Sequence, residues 1–344
     1  MKKFIKKFFV NRLIAIVTRM FNLIYERSSL KRDLEEVKSL ESNLSTLLST
    51  SSERILHNFN VHDAKTRQLS GYALSILNNH VIKDKILNNI KIAEFSVYSQ
   101  WGEDGILDFL TDYIDIYNKT FLEIGVQDYR ESNTRFLLVK RNWTGILVEC
   151  DEIGVKEIKL QDIYWKYNLT VVKEMVDRNN INAIISKYSN ESDLGILSID
   201  VDGVDWWLWD AVELNRPEIV LIEYNSVFGL KPWTVPYKPD FYRTKEHYSN
   251  LYYGASITAM NLLAEKKGYS LVCSSSSGND LFFVRNDKLK NLKKLSEEEA
   301  YVKSQFRESR DQHGNLTYIS GDERIKTISG MPVYNVVTKQ EELI

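Results

Sequence analysis

From about residue 95 onward, short apolar runs alternate with amphipathic stretches. The runs predict strands at 120–124, 145–149, 169–173, 194–199 and 218–223. Each of the first four is followed by a helix-like segment, such as 133–141 and 205–214. Strands and helices in that alternation imply a parallel sheet with right-handed crossovers. A long connection, 225–253, holds Pro232, Pro236 and Pro239 and leads into a helix at 256–267. Tyr269–Ser274 and Asp280–Arg285 read as two further strands, joined by a serine-rich turn and close enough to be antiparallel.

Upstream the texture differs. Leu30, Leu34, Val37, Leu40, Leu44 and Leu47 recur at three- and four-residue steps, the spacing of a helix with a coiled-coil-like seam. That seam would serve a homo-oligomer or a local helical hairpin. The polar stretch Ser49–Glu53 is expected to interrupt it, and 65–90 again looks helical. Met1–Tyr25 is apolar but broken by Lys2, Lys3, Lys6, Lys7, Arg12 and Arg19. Its longest uncharged stretch, Leu13–Thr18, is too short to span a bilayer. No small-residue cleavage site follows, which speaks against a signal peptide. Its lysines would suit a peripheral contact with the inner membrane, or the segment packs on protein. Three regions result: a helical extension at 1–90, an α/β domain at 91–290, and a tail at 291–344 that starts as a charged helix and ends irregularly.

Composition narrows the classes. The 344 residues are 43% hydrophobic and 27% charged, a globular balance. A net charge of −2 gives no global field that would favour nucleic acid. The two cysteines, Cys150 and Cys273, form neither a disulfide framework nor a zinc pattern. At apparent strand ends, they read as buried, reduced thiols of a cytoplasmic protein.

Chemistry concentrates at predicted strand ends. The run Phe121–Val126 ends in Glu123 and Gly125, and a second run ends in Glu149, 26 positions after Glu123. A glycine lets backbone approach a nucleotide-type cofactor, and a later carboxylate accepts ribose hydroxyls. After the fourth strand come Asp200, Asp202 and Asp205, beside Gly203. Asp200 and Asp202 would point the same way in extended chain. Paired carboxylates repel unless they share a proton, a metal or donors. Glu223 and Asn225, after the next strand, would face the same crevice, and Asp202, Glu223 and Asn225 together offer oxygen ligands for Mg2+. The 225–253 connection is long enough to be functional. In it, Trp233 would stack on a substrate ring and Arg243 would clamp an anionic group. His247, one of five histidines, titrates near neutral pH and is a candidate general base. Gln100, in Ser99–Asp104 ahead of the first strand, would reach the ligand from above.

On these residues, the stretch from about 95 to 290 resembles a class I S-adenosylmethionine-dependent methyltransferase, and within that group the FkbM-like enzymes often linked to polysaccharide and natural-product pathways. The resemblance covers a little over half of the chain. It implies a Rossmann-like, doubly wound sheet of seven strands whose last strand is antiparallel. The loop after the first strand in that family reads acid-x-Gly-x-Gly-x-Gly. Here Glu123 and Gly125 are kept, while Gln127 and Tyr129 stand at the other two glycine positions. Carried over, the resemblance implies that Glu123, Gly125, Gln127, Glu149, Asp200 and Gln100 contact S-adenosylmethionine. Glu223, Asn225, Trp233 and Arg243 would meet the acceptor. His247, or after it Asp202, would take the proton. The expected activity is methyl transfer to a hydroxyl of a sugar or cell-surface glycan precursor. Two other readings stand beside it. Asp200-Val201-Asp202 matches the Asp-x-Asp pair of a metal-dependent glycosyltransferase. Gln127 and Tyr129 would suit a non-catalytic assembly protein whose cofactor fold has decayed.

Overall fold

The computed structural model describes residues 11–12, 14–19, 30–189, 194–213 and 216–344. Two compact units divide the chain, Met1–Thr66 and Arg67–Ile344. The lysines proposed for a membrane surface, Lys2, Lys3, Lys6 and Lys7, lie outside the described residues. No described helix is long and apolar enough to cross a membrane.

A single helix, Leu30–Ile76, starts in the first unit and ends in the second. The expected break at Ser49–Glu53 does not occur. No glycine or proline stands there, and Thr46 and Thr50 return their hydroxyls to the carbonyls of Ser42 and Thr46 within the helix. In the first unit Leu40, Leu44 and Leu47 are exposed.

The main sheet of the second unit has seven strands: β1 (Thr120–Ile124), β2 (Thr144–Glu149), β3 (Leu169–Lys173), β4 (Ile196–Ile199), β5 (Ile219–Glu223), then β7 (Tyr269–Ser274) and β8 (Asp280–Arg285). The short β6 (Trp233–Thr234) interrupts that count and belongs elsewhere. The order is β3-β2-β1-β4-β5-β8-β7. β1 to β5 run parallel, and β8 is antiparallel to both of its neighbours. This is the expected Rossmann-like, doubly wound seven-stranded sheet with one antiparallel strand.

Successive strand residues serve opposite faces. Phe121, Leu147, Ile219 and Leu221 pack into one apolar core with Ile106, Leu110 and Leu137 from the helices Glu103–Tyr113 and Arg135–Arg141. Leu122, Ile124, Val148, Val220 and Ile222 pack into a second with Ile184, Leu208 and Met260 from Ile181–Tyr188, Asp205–Ala211 and Ile257–Lys267. Burying both faces removes all apolar–polar alternation, so these strands read as continuous hydrophobic runs. Trp206 and Trp207 are buried as well, and their indole N–H groups donate to the carbonyls of Ala259 and Val235 at 2.9 and 2.8 Å.

The tail departs from expectation. It holds two short helices, Glu297–Ala300 and Asp322–Thr327, then a hairpin of β9 (Pro332–Asn335) and β10 (Gln340–Leu343). β9 pairs with β6, so the end of the chain clasps the long connection after β5 in a three-stranded sheet. Strands of two and four residues are too short to show a period. Cys150 also differs from expectation: it is exposed, because β2 ends just before it, whereas Cys273 is buried within β7.

One buried carboxylate ties the end of the long helix to the sheet layer. Asp108 is fully buried and accepts from Ser75 Oγ, from Asn79 Nδ2 at 3.1 Å, from Lys140 Nζ at 2.8 Å and from Arg141 Nε at 2.7 Å. Burial acts to raise its pKa, but Arg141, Lys140 and Ser75 outweigh it and hold the carboxyl below its ordinary value. Asp108→Ala strands two cations and is expected to lower unfolding free energy in urea by about 3 kcal/mol. The depressed acid stabilises the native state above the unfolded pKa of about 4. That contribution is lost as pH falls below it, so the loss on mutation should shrink in acid.

Candidate active site

In this strand order β1 lies between β2 and β4, and the direction of winding reverses between β1 and β4. Ligands of open α/β sheets bind at such reversals, beyond the carboxyl ends of the strands. The loops after β1 and β4 touch there. Gly125 has φ +86°, and a Cβ on it would lie 1.7 Å from the carbonyl oxygen of Asp200. No residue with a side chain fits.

The β1 loop carries a backbone signature. Gln127 and Tyr129 also have positive φ, 50° and 59°. The three positions that the family pattern fills with glycine are thus all left-handed, two of them held by other residues. Each left-handed side-chain residue costs about 1–2 kcal/mol and needs an anchor. For Gln127 the anchor is its own N–H, which donates to Glu149 Oε2 at 2.7 Å. Glu149 Oε1 accepts from Asp151 N at 2.8 Å. Its carboxylate therefore spans the gap between the β1 and β2 loops instead of turning away. Gly154 lets the following helix close on this loop: a Cβ there would lie 2.6 Å from the carbonyl oxygen of Gln127. Tyr129 turns its ring into the core and bonds Thr134 Oγ1 at 3.1 Å.

Glu123, expected at the cofactor, is buried under the loop. It accepts from Asn133 N at 2.9 Å and from the N–H and hydroxyl of Thr134. Burial pushes its carboxyl upward against those donors. Gln100 is exposed, and its Oε1 accepts from the indole of neighbouring Trp101 at 3.1 Å. The acids three and four residues later are the buried ones. Asp104 Oδ2 accepts from Val97, Tyr98 and Ser99 N–H groups at 2.7, 2.6 and 2.9 Å, and Glu103 Oε2 from Trp101 and Gly102, both at 3.0 Å.

The β4 loop is folded by Asp205, which accepts from Val201 N at 2.8 Å and Gly203 N at 3.0 Å. This turn carries Asp202 at φ 53°. Carboxylate oxygens of Asp200, Asp202 and Glu223 lie within 4.8 Å of one another. Glu223 is 9% exposed, and its Oε2 is buried without a partner among the described residues. Its strand partner across the antiparallel ladder is Asp280, the first residue of β8. Burial, then the repulsion of Asp202, Asp205 and Glu123, pushes Asp200 well above the carboxylate range. Burial, then Asp200, Asp202 and Asp205, does the same to Glu223. Burial, then the nearby Glu103 and Asp200, pushes Asp280 well above the carboxylate range.

Arg243 meets this cluster. Its Nη1 pairs with Asp202, its Nε donates to the Asn250 carbonyl at 2.7 Å, and its guanidinium lies 4.0 Å over the Tyr253 ring. Burial opposes the charge, but Tyr253, Asp202 and Glu223 outweigh it and hold it fully protonated.

Three expected residues stand apart. Asn225 is buried, its Nδ2 donating to the carbonyls of Leu251 and Tyr253 at 2.9 and 3.0 Å and its Oδ1 accepting from Val227 N at 3.0 Å. Its oxygen is committed to backbone and is not turned to the acidic trio. Trp233 donates its indole N–H to Glu342 in β10 at 2.9 Å, which ties it to the C-terminal hairpin. His247 bonds Ser249 Oγ through Nδ1 at 2.7 Å, and no hydrogen bond joins it to the acids among the described residues. Burial lowers its pKa. Of the two expected proton acceptors, Asp202 is the one in the crevice. Sequence reading missed Glu103 and Asp280. The second was accessible: an antiparallel last strand beside β5 starts at the edge where β5 ends.

No family model matches the sequence, and no curated protein matches it. The fold does resemble solved methyltransferase structures. A S-adenosylmethionine-dependent methyltransferase from Clostridium acetobutylicum aligns with 13% identity over 43% of this chain and 58% of its own, with a TM-score of 0.30. The N-terminal domain of EvdMO1 with SAH bound aligns with 10% identity over 59% of this chain and 96% of its own, at 0.36. The CurJ carbon methyltransferase aligns with 9% identity over 61% and 60%, at 0.36. The chain thus spans just over half the length of the first of these. Likenesses this low in TM-score carry no functional weight beside the residues described above.

Gln127→Gly, which relieves φ strain but frees the unfolded chain, should change stability by less than about 1 kcal/mol. Gln127→Val, β-branched at positive φ, should lose about 1–2 kcal/mol in denaturant titrations. Separately, burial raises Asp205 to about 6 and Asp104 to about 7. A raised carboxyl favours the native state below its unfolded pKa, and that contribution is lost as pH rises through the folded value. Melting temperature without ligand should therefore fall from about pH 4 to about pH 7, and Glu223→Gln should flatten the slope.

Proposed function

We propose that the chain is an S-adenosylmethionine-dependent O-methyltransferase acting on a hydroxyl of a sugar or cell-surface glycan precursor. The observation that carries this reading is the β1 loop: three left-handed residues at 125, 127 and 129, with the Glu149 carboxylate set across the gap. Each Glu149 oxygen accepts one backbone N–H and keeps a lone pair for a ribose hydroxyl. Glu123 acts beneath the loop as a positioning residue. Asp200, at the β4 end, suits the cationic end of the donor.

When bound, S-adenosylmethionine supplies the methyl group: the acceptor oxygen bonds to carbon as the carbon–sulfur bond breaks and its electron pair passes to sulfur. The chain's task is alignment, which is worth about 7–11 kcal/mol in well-ordered systems. Asp202, held by Arg243, takes the hydroxyl proton. The Asp200, Asp202 and Glu223 oxygens also suit Mg2+ by number and type. Activity lost to EDTA and restored by Mg2+ would give the trio to a metal, while activity indifferent to EDTA would give it to the donor's ammonium. The exposed Leu40, Leu44 and Leu47 suit self-association, and the basic segment before them suits a membrane surface.

Calorimetry with S-adenosylhomocysteine is the test. Saturable binding is expected, with affinity lowered at least about tenfold in Glu149→Gln, the value of one charge-assisted hydrogen bond. Failure of the wild-type chain to bind, under conditions where it is folded, refutes the reading.

A further inference from the structure

The helix Asp322–Thr327 packs against the turn Ser226–Phe228, just beyond the end of β5. From it Arg324 points inward. It is 8% exposed, its Nε is shielded from solvent without a partner, and no ion pair reaches its guanidinium among the described residues. The groups acting on it are Tyr253, Arg243 and Tyr301, none of them a carboxylate. Arg243 lies over the ring of Tyr253, with one amino nitrogen on Asp202 and its Nη2 buried without a partner among the described residues. A guanidinium cannot shed its proton in a protein. Burying one without a counter-charge is strongly unfavourable, and a second guanidinium nearby adds repulsion. The acids of the crevice do not resolve this: among the described residues Asp202 pairs with Arg243, and no acid pairs with Arg324.

We propose that Arg243 and Arg324, gathered at Tyr253, form a cradle for an oxyanion, phosphate or carboxylate, carried by the acceptor. The unsatisfied N–H groups of the two guanidinium forks suit paired oxygens of one such group. The acceptor's reacting hydroxyl then lies toward Asp202, which the same Arg243 holds. This makes the substrate class an anionic sugar, phosphorylated or carrying a carboxylate. Only the attribution to the acceptor rests on the methyl-transfer reading; the cradle does not.

The experiment titrates inorganic phosphate and, separately, acetate into the full chain at constant ionic strength, by calorimetry and by melting temperature. Wild type, Arg324→Gln and Arg324→Lys are compared. The wild type is expected to bind one ion class saturably and to melt higher with it, and the class that binds identifies the acceptor's group. Arg324→Gln should lose at least tenfold in affinity yet melt no lower than wild type in anion-free buffer, since an unpaired buried charge is gone. Arg324→Lys, which keeps charge without the fork, should fall between. The proposal is overturned if neither ion binds wild type, if Arg324→Gln binds equally well, or if Arg324→Gln is less stable without anion. S-adenosylhomocysteine is titrated alongside: its binding without anion binding sinks the cradle alone, and anion binding without it sinks the methyl-transfer reading alone.

Discussion

The Asp200 carbonyl stands where a side chain at residue 125 would be. That close approach joins the loops after β1 and β4 at the winding reversal, and the rest of the site follows from it. Once the two loops touch, neither can fold freely. Glu149 takes the Gln127 N–H from the side of β2, and Asp205 takes two N–H groups from its own turn. Acidic side chains therefore act first as staples for backbone. Only then do Asp200, Asp202 and Glu223 come within reach of one another.

The crowding of acids is a consequence of strand order. Because β8 runs antiparallel between β5 and β7, its first residue, Asp280, lies beside the last residue of β5, Glu223. Glu103, on the helix before β1, then meets Asp280. Burial first, and then mutual repulsion, pushes the carboxyls of Asp200, Glu223 and Asp280 upward. Arg243 supplies a positive charge, to Asp202. Arg324 faces the opposite deficit, since no acid pairs with it among the described residues.

Much of this was legible in the sequence. Strand ends, helix positions and the antiparallel last pair follow from buried runs and their separators, and Glu149 and Asp200 sit where that pattern locates strand termini. What escaped was set by contacts distant in sequence. Asn225 looked like a crevice residue because it follows β5, but the backbone of Leu251 and Tyr253, more than twenty residues on, takes its amide. Trp233 looked like a stacking ring until the C-terminal hairpin reached it through Glu342. Arg324 carried no local signal at all: an arginine in a short amphipathic helix reads as surface until the fold buries it.

Gln127 and Tyr129 raise the sharpest question about decay against function. A glycine pattern states a requirement on backbone angle, and glycine meets it by having no side chain to clash. A side chain can meet the same requirement if something holds it. Tyr129 does so by sending its ring into the apolar core, where its hydroxyl bonds Thr134, which in turn donates to Glu123. Gln127 does so through its own N–H and Glu149. Drift after loss of function would let the loop relax to negative φ, because nothing would repay about 1–2 kcal/mol at each position. The angles are kept instead, by anchors that run to Glu149 across the gap and to Glu123 beneath the loop. The loop has exchanged conformational permissiveness for side-chain bracing, and its backbone keeps the left-handed angles that the glycine pattern specifies.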